Sequence, residues 1–251
     1  MLIAAGEALE CSAHVLSVGT SALRNFQRTC TDKNLASALL KLERGELELS
    51  DMKKVLSASG LTLDDLIDKV AQFIKNDPVQ ASAELNALVK RAGSLQGLKA
   101  ILLCSDTHAG QLSCKALKTY LEGEGAEAAA YVINNLGKRG TFYEGLVNLM
   151  CAYGKILDKE VGDCKSCVCV NPTGGFKPES AVTYLLALAD ARTADVYYIH
   201  EAFRDVVSLP IFPVVPLKAL LSQTKWLDES LKALKDCLKG KSLYPWRPLE
   251  I

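Results

Sequence analysis

The sequence predicts an α/β protein with a largely parallel sheet flanked by helices. Two observations carry this. Short, continuous apolar runs, as expected of strands buried on both faces, alternate with stretches of helical periodicity. Polar, glycine-containing clusters follow one run after another, where a parallel sheet gathers a ligand at the carboxyl ends of its strands.

The first run is His14 to Val18 (HVLSV), ending in Gly19-Thr20-Ser21 before a helical pattern that begins at Leu23. The hydroxyls of Thr20 and Ser21 fall either at a ligand or at a helix N-cap, and the two roles are compatible. Residues 31–93 differ in character. They are charged and Leu/Ala-rich, with helical stripes at Leu35-Leu39-Leu40-Leu42, Asp51–Ser57, Leu66-Val70-Phe73-Ile74 and Ala81–Arg91, and no strand pattern. This reads as a helical insertion between the first and second strands, serving as a lid, a dimer element or a cover. The second strand is Leu98–Cys104 (LKAILLC), followed by Ser105-Asp106-Thr107 and a helix; the third is Ala128–Ile133, followed by Asn134-Asn135 and a long helix from Phe142 to Ile156.

The run Cys167–Val170 then stops at Asn171-Pro172, and Thr173, Gly174, Gly175, Phe176 and Lys177 lead into a helix from Pro178. Adjacent glycines allow close backbone approach, and the free amides of a helix start favour an anion, to which Lys177 adds a full charge. Phosphate is the natural guest. The plainer alternative is a strand-to-helix turn with a solvated lysine. The strand Asp195–Ile199 follows, then the proline-punctuated Val206–Val215 as edge strands and amphipathic stretches at Leu217–Leu221 and Leu227–Leu238. The pocket at these strand ends is expected to be hydroxyl-rich and nearly free of carboxylate. The domain organisation is 1–215 for the α/β domain and 216–251 for a helical extension.

Composition bounds the function. The 29 basic and 29 acidic residues give a formal net charge of zero, which argues against a general DNA- or RNA-binding surface. No apolar run reaches the roughly 20 residues that span a bilayer. The first residues carry Glu7 and Glu10 and lack a basic leader, so no signal peptide and a cytoplasmic location are expected. Nine cysteines include Cys164-Lys-Ser-Cys167 with Cys169 close behind. The three histidines, His14, His108 and His200, are scattered and no second C-x-x-C occurs, so no metal is expected. Cys167 and Cys169 read as small hydrophobes on one strand face, with a structural disulfide as the option in a hyperthermophile.

The segments Ser17–Ser21, Leu103–Gly110 (LCSDTHAG), Phe142–Leu149 (FYEGLVNL) and above all Asn171–Lys177 (NPTGGFK) resemble the CRISPR-associated Rossmann fold (CARF) proteins, closely the stand-alone ring nucleases. The tail Tyr198-Ile199-His200-Glu201, with Leu209-Pro210, is similar too. The resemblance spans about Val15 to Val215, interrupted after Thr31. It implies a Rossmann-like fold, a homodimer with its ligand on the two-fold axis, and cyclic oligoadenylate, chiefly cyclic tetraadenylate, as substrate, with no cofactor. On these residues it implies Lys177 and Ser21 as the catalytic pair, and Gly19, Thr20, Ser105, Thr107, Asn171, Thr173, Gly174, Gly175 and Phe176 as ligand-binding. The ribonuclease domain carried by many relatives is not expected: Arg192 and His200 straddle a strand and lack its helical spacing. That leaves a ring nuclease, or a sensor that binds the same ring and signals to a partner. A nicotinamide oxidoreductase is disfavoured, since no G-x-G-x-x-G follows the first strand.

Overall fold

A computed structural model describes residues 11–200, 205–211 and 246–249. The sheet has seven strands in the order β6-β5-β4-β1-β2-β3-β7. The five central strands are parallel: β1 (Ala13–Val18), β2 (Lys99–Ser105), β3 (Glu127–Ile133), β4 (Val168–Asn171) and β5 (Thr193–His200). Both edges are antiparallel: β6 (Asp205–Leu209) on β5, and β7 (Trp246–Pro248) on β3 at Tyr131–Ile133. The expected edge strand is thus β6; residues 212–215 of that run, and the amphipathic stretches from Leu217 to Leu238, lie outside the described residues. The fold is the expected Rossmann-like one.

Helices cover both faces, as continuous apolar strands require. On one side lie the helices between β1 and β2, namely α1 (Ser21–Thr29), α2 (Lys33–Glu43), α3 (Leu49–Ala58), α4 (Leu63–Asn76), α5 (Pro78–Ala81) and α6 (Ala83–Ala92), together with α7 (His108–Gly123). Leu39, Leu42, Met52, Leu66, Ile74, Leu85 and Leu88 bury there against Leu16, Leu102 and Val132 of the sheet. The insertion is therefore part of the main core. Its helices start where capping chemistry allows: Asp32 accepts from the amides of Asn34 and Leu35, Thr62 and Asp65 cap each other, and Ser82 accepts from Leu85, which splits the expected fourth stripe into α5 and α6. On the other side lie α8 (Phe142–Val161) and α9 (Lys177–Ala189), packed on Val15, Ile101, Tyr131, Val170 and Val196.

The cysteines correct the sequence reading. Cys167 and Cys169 do not share one strand face as free thiols. A bulge follows Val168, Cys167 joins the core under α8 and Cys169 the core on the opposite side. Both are disulfide-bonded: Cys164–Cys167, and Cys11–Cys169 across 158 residues of chain; a third bridge joins Cys104 of β2 to Cys114 of α7. Their Cα separations, in that order 6.0, 5.6 and 6.1 Å, fall in the range that bridges require. Among the described residues no helix is long and apolar enough to cross a membrane.

Candidate functional site

In an open parallel sheet the ligand crevice lies where the chain reverses its direction of travel across the sheet. Here that point falls between β1 and β4, which pair from Ala13↔Val168 to Leu16↔Asn171. The turns leaving these two strands, Gly19-Thr20-Ser21 and Asn171 to Lys177, meet above it. They dock backbone to backbone: a Cβ on Gly174 would lie 2.1 Å from the Ser17 carbonyl oxygen, and a Cβ on Gly19 would lie 2.8 Å from the Gly175 amide nitrogen. Only glycine admits this approach.

The β4 turn is built from its own side chains. Asn171 is fully buried; its Oδ1 accepts from the Thr173 amide at 3.1 Å, and its Nδ2 donates to the Glu84 carbonyl of α6 at 2.9 Å. Thr173 Oγ1 accepts from the Ile199 amide of β5 at 3.3 Å. Gly175 has φ +87° and lies against the carboxylate of Glu179, whose Oε2 accepts from the Phe176 amide at 3.1 Å. Burial raises the Glu179 carboxyl to about 7, and its Oε1 has no partner among the described residues. Lys177 begins α9, is exposed and forms no ion pair among the described residues. The Gly174 and Gly175 amides likewise have no acceptor among the described residues. Phe176 is exposed and makes an edge contact with Phe142 of α8.

The β1 side is chemically different. Neither Thr20 nor Ser21 caps α1. Thr20 Oγ1 donates to Glu43 of α2 at 3.2 Å, and Glu43 also holds Arg24. Ser21 Oγ donates to Glu84 Oε2 at 3.0 Å and accepts from the Ala83 amide at 3.3 Å; Glu84 Oε1 accepts from the Gly19 amide at 3.1 Å. Glu84 has no solvent exposure, and burial pushes its carboxyl up despite bonds from Ser21, Ser82 and Gly19. The expectation of a pocket nearly free of carboxylate is therefore wrong. Glu43, Glu84 and Glu179 stand at its walls, the first two supplied by the insertion. Beneath them His14 Nδ1 meets Tyr197 Oη at 3.0 Å, and burial, then Arg91, hold the imidazole down to about 4, so it is neutral.

Ser105 and Thr107 form a second cluster, at the ends of β2 and β3. Their hydroxyls are 2.9 Å apart, and Thr107 accepts from Gly110 as the N-cap of α7. Asp106 Oδ2 accepts from the Asn135 amide at 3.0 Å and pairs with Lys138 at 2.7 Å. The site residues thus divide into a β1/β4 group, comprising Gly19, Thr20, Ser21, Asn171, Thr173, Gly174, Gly175, Phe176 and Lys177, and a β2/β3 group of Ser105 and Thr107. The sequence reading missed Glu84, Glu43, Asp106 and Lys138. An acidic residue in the first turn of α6 signals only a favourable helix start.

Such an arrangement defines a doubly wound α/β protein whose β1 and β4 turns dock on each other at its switch point. Residues 79–212 match the family described as CRISPR-associated protein (Cas_APE2256), and the chain belongs to that family. The match covers Glu84 and the whole β4 turn, while Gly19 to Ser21 precede it. No curated protein matches the chain.

Proposed function

We propose that this chain is a ring nuclease that binds cyclic tetraadenylate and cleaves it without a metal, switching off type III CRISPR signalling. The observation that carries the reading is the docking of Gly19 on Gly175 and of Gly174 on Ser17, which joins a serine-bearing wall to a lysine-bearing one. Family membership and the resemblance of the Asn171–Lys177 turn to ring nucleases support it.

In a ribonucleotide ring the nucleophile is built in. The 2′-hydroxyl attacks its own 3′-phosphodiester and leaves a 2′,3′-cyclic phosphate, so the protein's task is in-line alignment and stabilisation of charge on the phosphoryl oxygens. Lys177 with the Gly174 and Gly175 amides suits the charge, and Ser21 the ribose. Thr20, Ser105, Thr107, Thr173 and Phe176 line the approach to bases and phosphates. The homodimer places a second copy of each wall across a two-fold axis, matching a two-fold ring. Tyr143, Met150, Phe176 and Leu185 are exposed, on or beside the mutually packed α8 and α9, and the second copy is placed against them.

The test is incubation of purified protein with labelled cyclic tetraadenylate in EDTA. Linear products ending in 2′,3′-cyclic phosphate are expected. Tight binding with an intact ring would make the protein a sensor instead.

A further inference from the structure

Glu84 is a fully buried carboxylate whose two oxygens are both spent on the β1 turn, one on the Gly19 amide and one on the Ser21 hydroxyl. These two bonds fix what Ser21 can offer. Its only proton points to Glu84, and one lone pair is taken by the Ala83 amide. One lone pair remains, and Ser21 is only half-buried. Toward a ligand Ser21 is therefore an acceptor. An acceptor repels phosphate oxygens and suits a sugar hydroxyl. The carboxylate also occupies the Gly19 amide, which otherwise would attract an anion, so the phosphate belongs on the Lys177 side.

Resting on the ring-nuclease reading, we propose that Glu84 is the positioning residue that makes Ser21 a proton acceptor for the attacking 2′-hydroxyl. As the 2′-O–P bond forms, the 2′-proton passes to Ser21 Oγ while the Ser21 proton passes to Glu84 Oε2. The P–O5′ bond breaks, and the departing 5′-oxygen takes a proton from water. The proton on Glu84 returns to solvent when the product leaves, so the proton count closes. Burial raises the affinity of this carboxylate for a proton, which is the property a proton acceptor working near neutral pH needs.

The surroundings suit that role. The groups bonded to the carboxylate are neutral: the Gly19 amide and the Ser21 and Ser82 hydroxyls. The ionisable groups around it are Glu43 with Arg24 on the α1–α2 side, His14 of β1 with Tyr197 of β5, Arg91 with Asp195 toward β5, Asp205 of β6, and, beyond the β4 turn, Lys177 and Glu179 at the start of α9. Glu179 titrates at about 7, so only the difference between variant and wild-type profiles is assigned to Glu84.

The experiment is single-turnover cleavage of labelled cyclic tetraadenylate between pH 5 and pH 9 by the wild-type protein, Glu84→Gln, Ser21→Ala and the double variant, beside melting temperatures and ring affinities. Glu84→Gln is expected to hold the ring about as well as wild type but to cleave it about 100-fold or more slowly, the scale of losing a proton acceptor. Its rate should lose the rise with pH that wild type shows on the acid side. The double variant should be no slower than Ser21→Ala alone. Should Glu84→Gln fail to fold, the difference between the wild-type and Ser21→Ala profiles decides: the relay predicts a steeper acid-side rise in the wild type, and two profiles of the same shape overturn it. Glu84→Gln cleaving at the wild-type rate with the wild-type profile also overturns it, and leaves the nuclease reading standing. A wild-type protein that leaves the ring intact overturns both.

Discussion

Gly174 lies so close to Ser17 that a single methyl on it would sit 2.1 Å from the Ser17 carbonyl oxygen and 2.8 Å from the Gly19 amide nitrogen. Backbone has no rotamer with which to yield. Gly174→Ala is therefore expected to push the β4 turn off β1, costing about 1–3 kcal/mol as for other overpacked sites. Ring affinity should fall in parallel. Thermal melts beside equilibrium binding check this; a variant with wild-type melting and affinity would mean that the two turns are not held together as described.

Lys177 is the cation of the crevice that no described acid neutralises. If it stabilises charge growing on the phosphoryl oxygens, Lys177→Ala should lower the cleavage rate by about 100-fold or more, the scale for one preorganised donor. Ring affinity should fall less, because the Gly174 and Gly175 amides still face the phosphate, and melting should hardly move. A solvated, idle lysine would leave the rate unchanged.

Glu179 gives a pH-dependent stability with a definite sign. Burial raises its carboxyl from the usual 4.5 to about 7, so between these values the folded chain holds a proton that the unfolded chain releases. Its contribution is greatest at acid pH, is lost as pH rises through about 7, and is flat beyond. Glu179→Gln keeps an acceptor for the Phe176 amide and removes the buried charge. It should gain up to about 3 kcal/mol over wild type at pH 8 and nothing at pH 4. Denaturant melts of both proteins across that range read the difference; identical curves would refute it.

The disulfides are directly countable. Among the described cysteines only Cys30 is free. Thiol labelling of the native oxidised protein, followed by peptide mass spectrometry, should modify Cys30 and spare Cys11, Cys104, Cys114, Cys164, Cys167 and Cys169. Cys11→Ala opens the bridge that spans 158 residues and should cost about 2–4 kcal/mol, mainly through the freedom returned to the unfolded chain. Equal melting with and without reductant would refute this.

Leu185 on α9 is 59% exposed, on the side of the helix away from the buried Thr183 and Ala187. If a second copy covers it, Leu185→Asp should yield a monomer by light scattering, with ring affinity reduced at least tenfold because half of the pocket is gone. A wild-type monomer that binds the ring tightly would sink the two-fold arrangement.

The central strands were legible because each buried strand announces itself. Leu98–Cys104 is apolar on both faces, and so are His14–Val18 and Asp195–Ile199, with polar turns marking where each stops. The Asn171–Lys177 segment was legible as a strand-to-helix turn, because Asn-Pro and two adjacent glycines interrupt an apolar run just ahead of a helical pattern. Glu84 was not legible. In sequence it is one acid among many in a charged helical stretch, and its burial depends on the Gly19 amide 65 positions away. Nor could spacing pair Cys11 with Cys169, since the sheet alone brings β1 beside β4.

That adjacency sets the order in which the molecule comes into being. β1 leaves the ribosome well before β4, yet it lies mid-sheet and finds its second neighbour only when Val168–Asn171 emerges. At about 5–20 residues per second, the interval is about ten seconds or more. Throughout it, β1, β2 and the intervening helices have partners among themselves, but the lysine-bearing wall has not yet been made. A chain cut short anywhere before α9 therefore lacks one wall of its crevice, whatever else it has folded. Topology alone thus withholds the complete crevice from any translation product that stops short of Lys177.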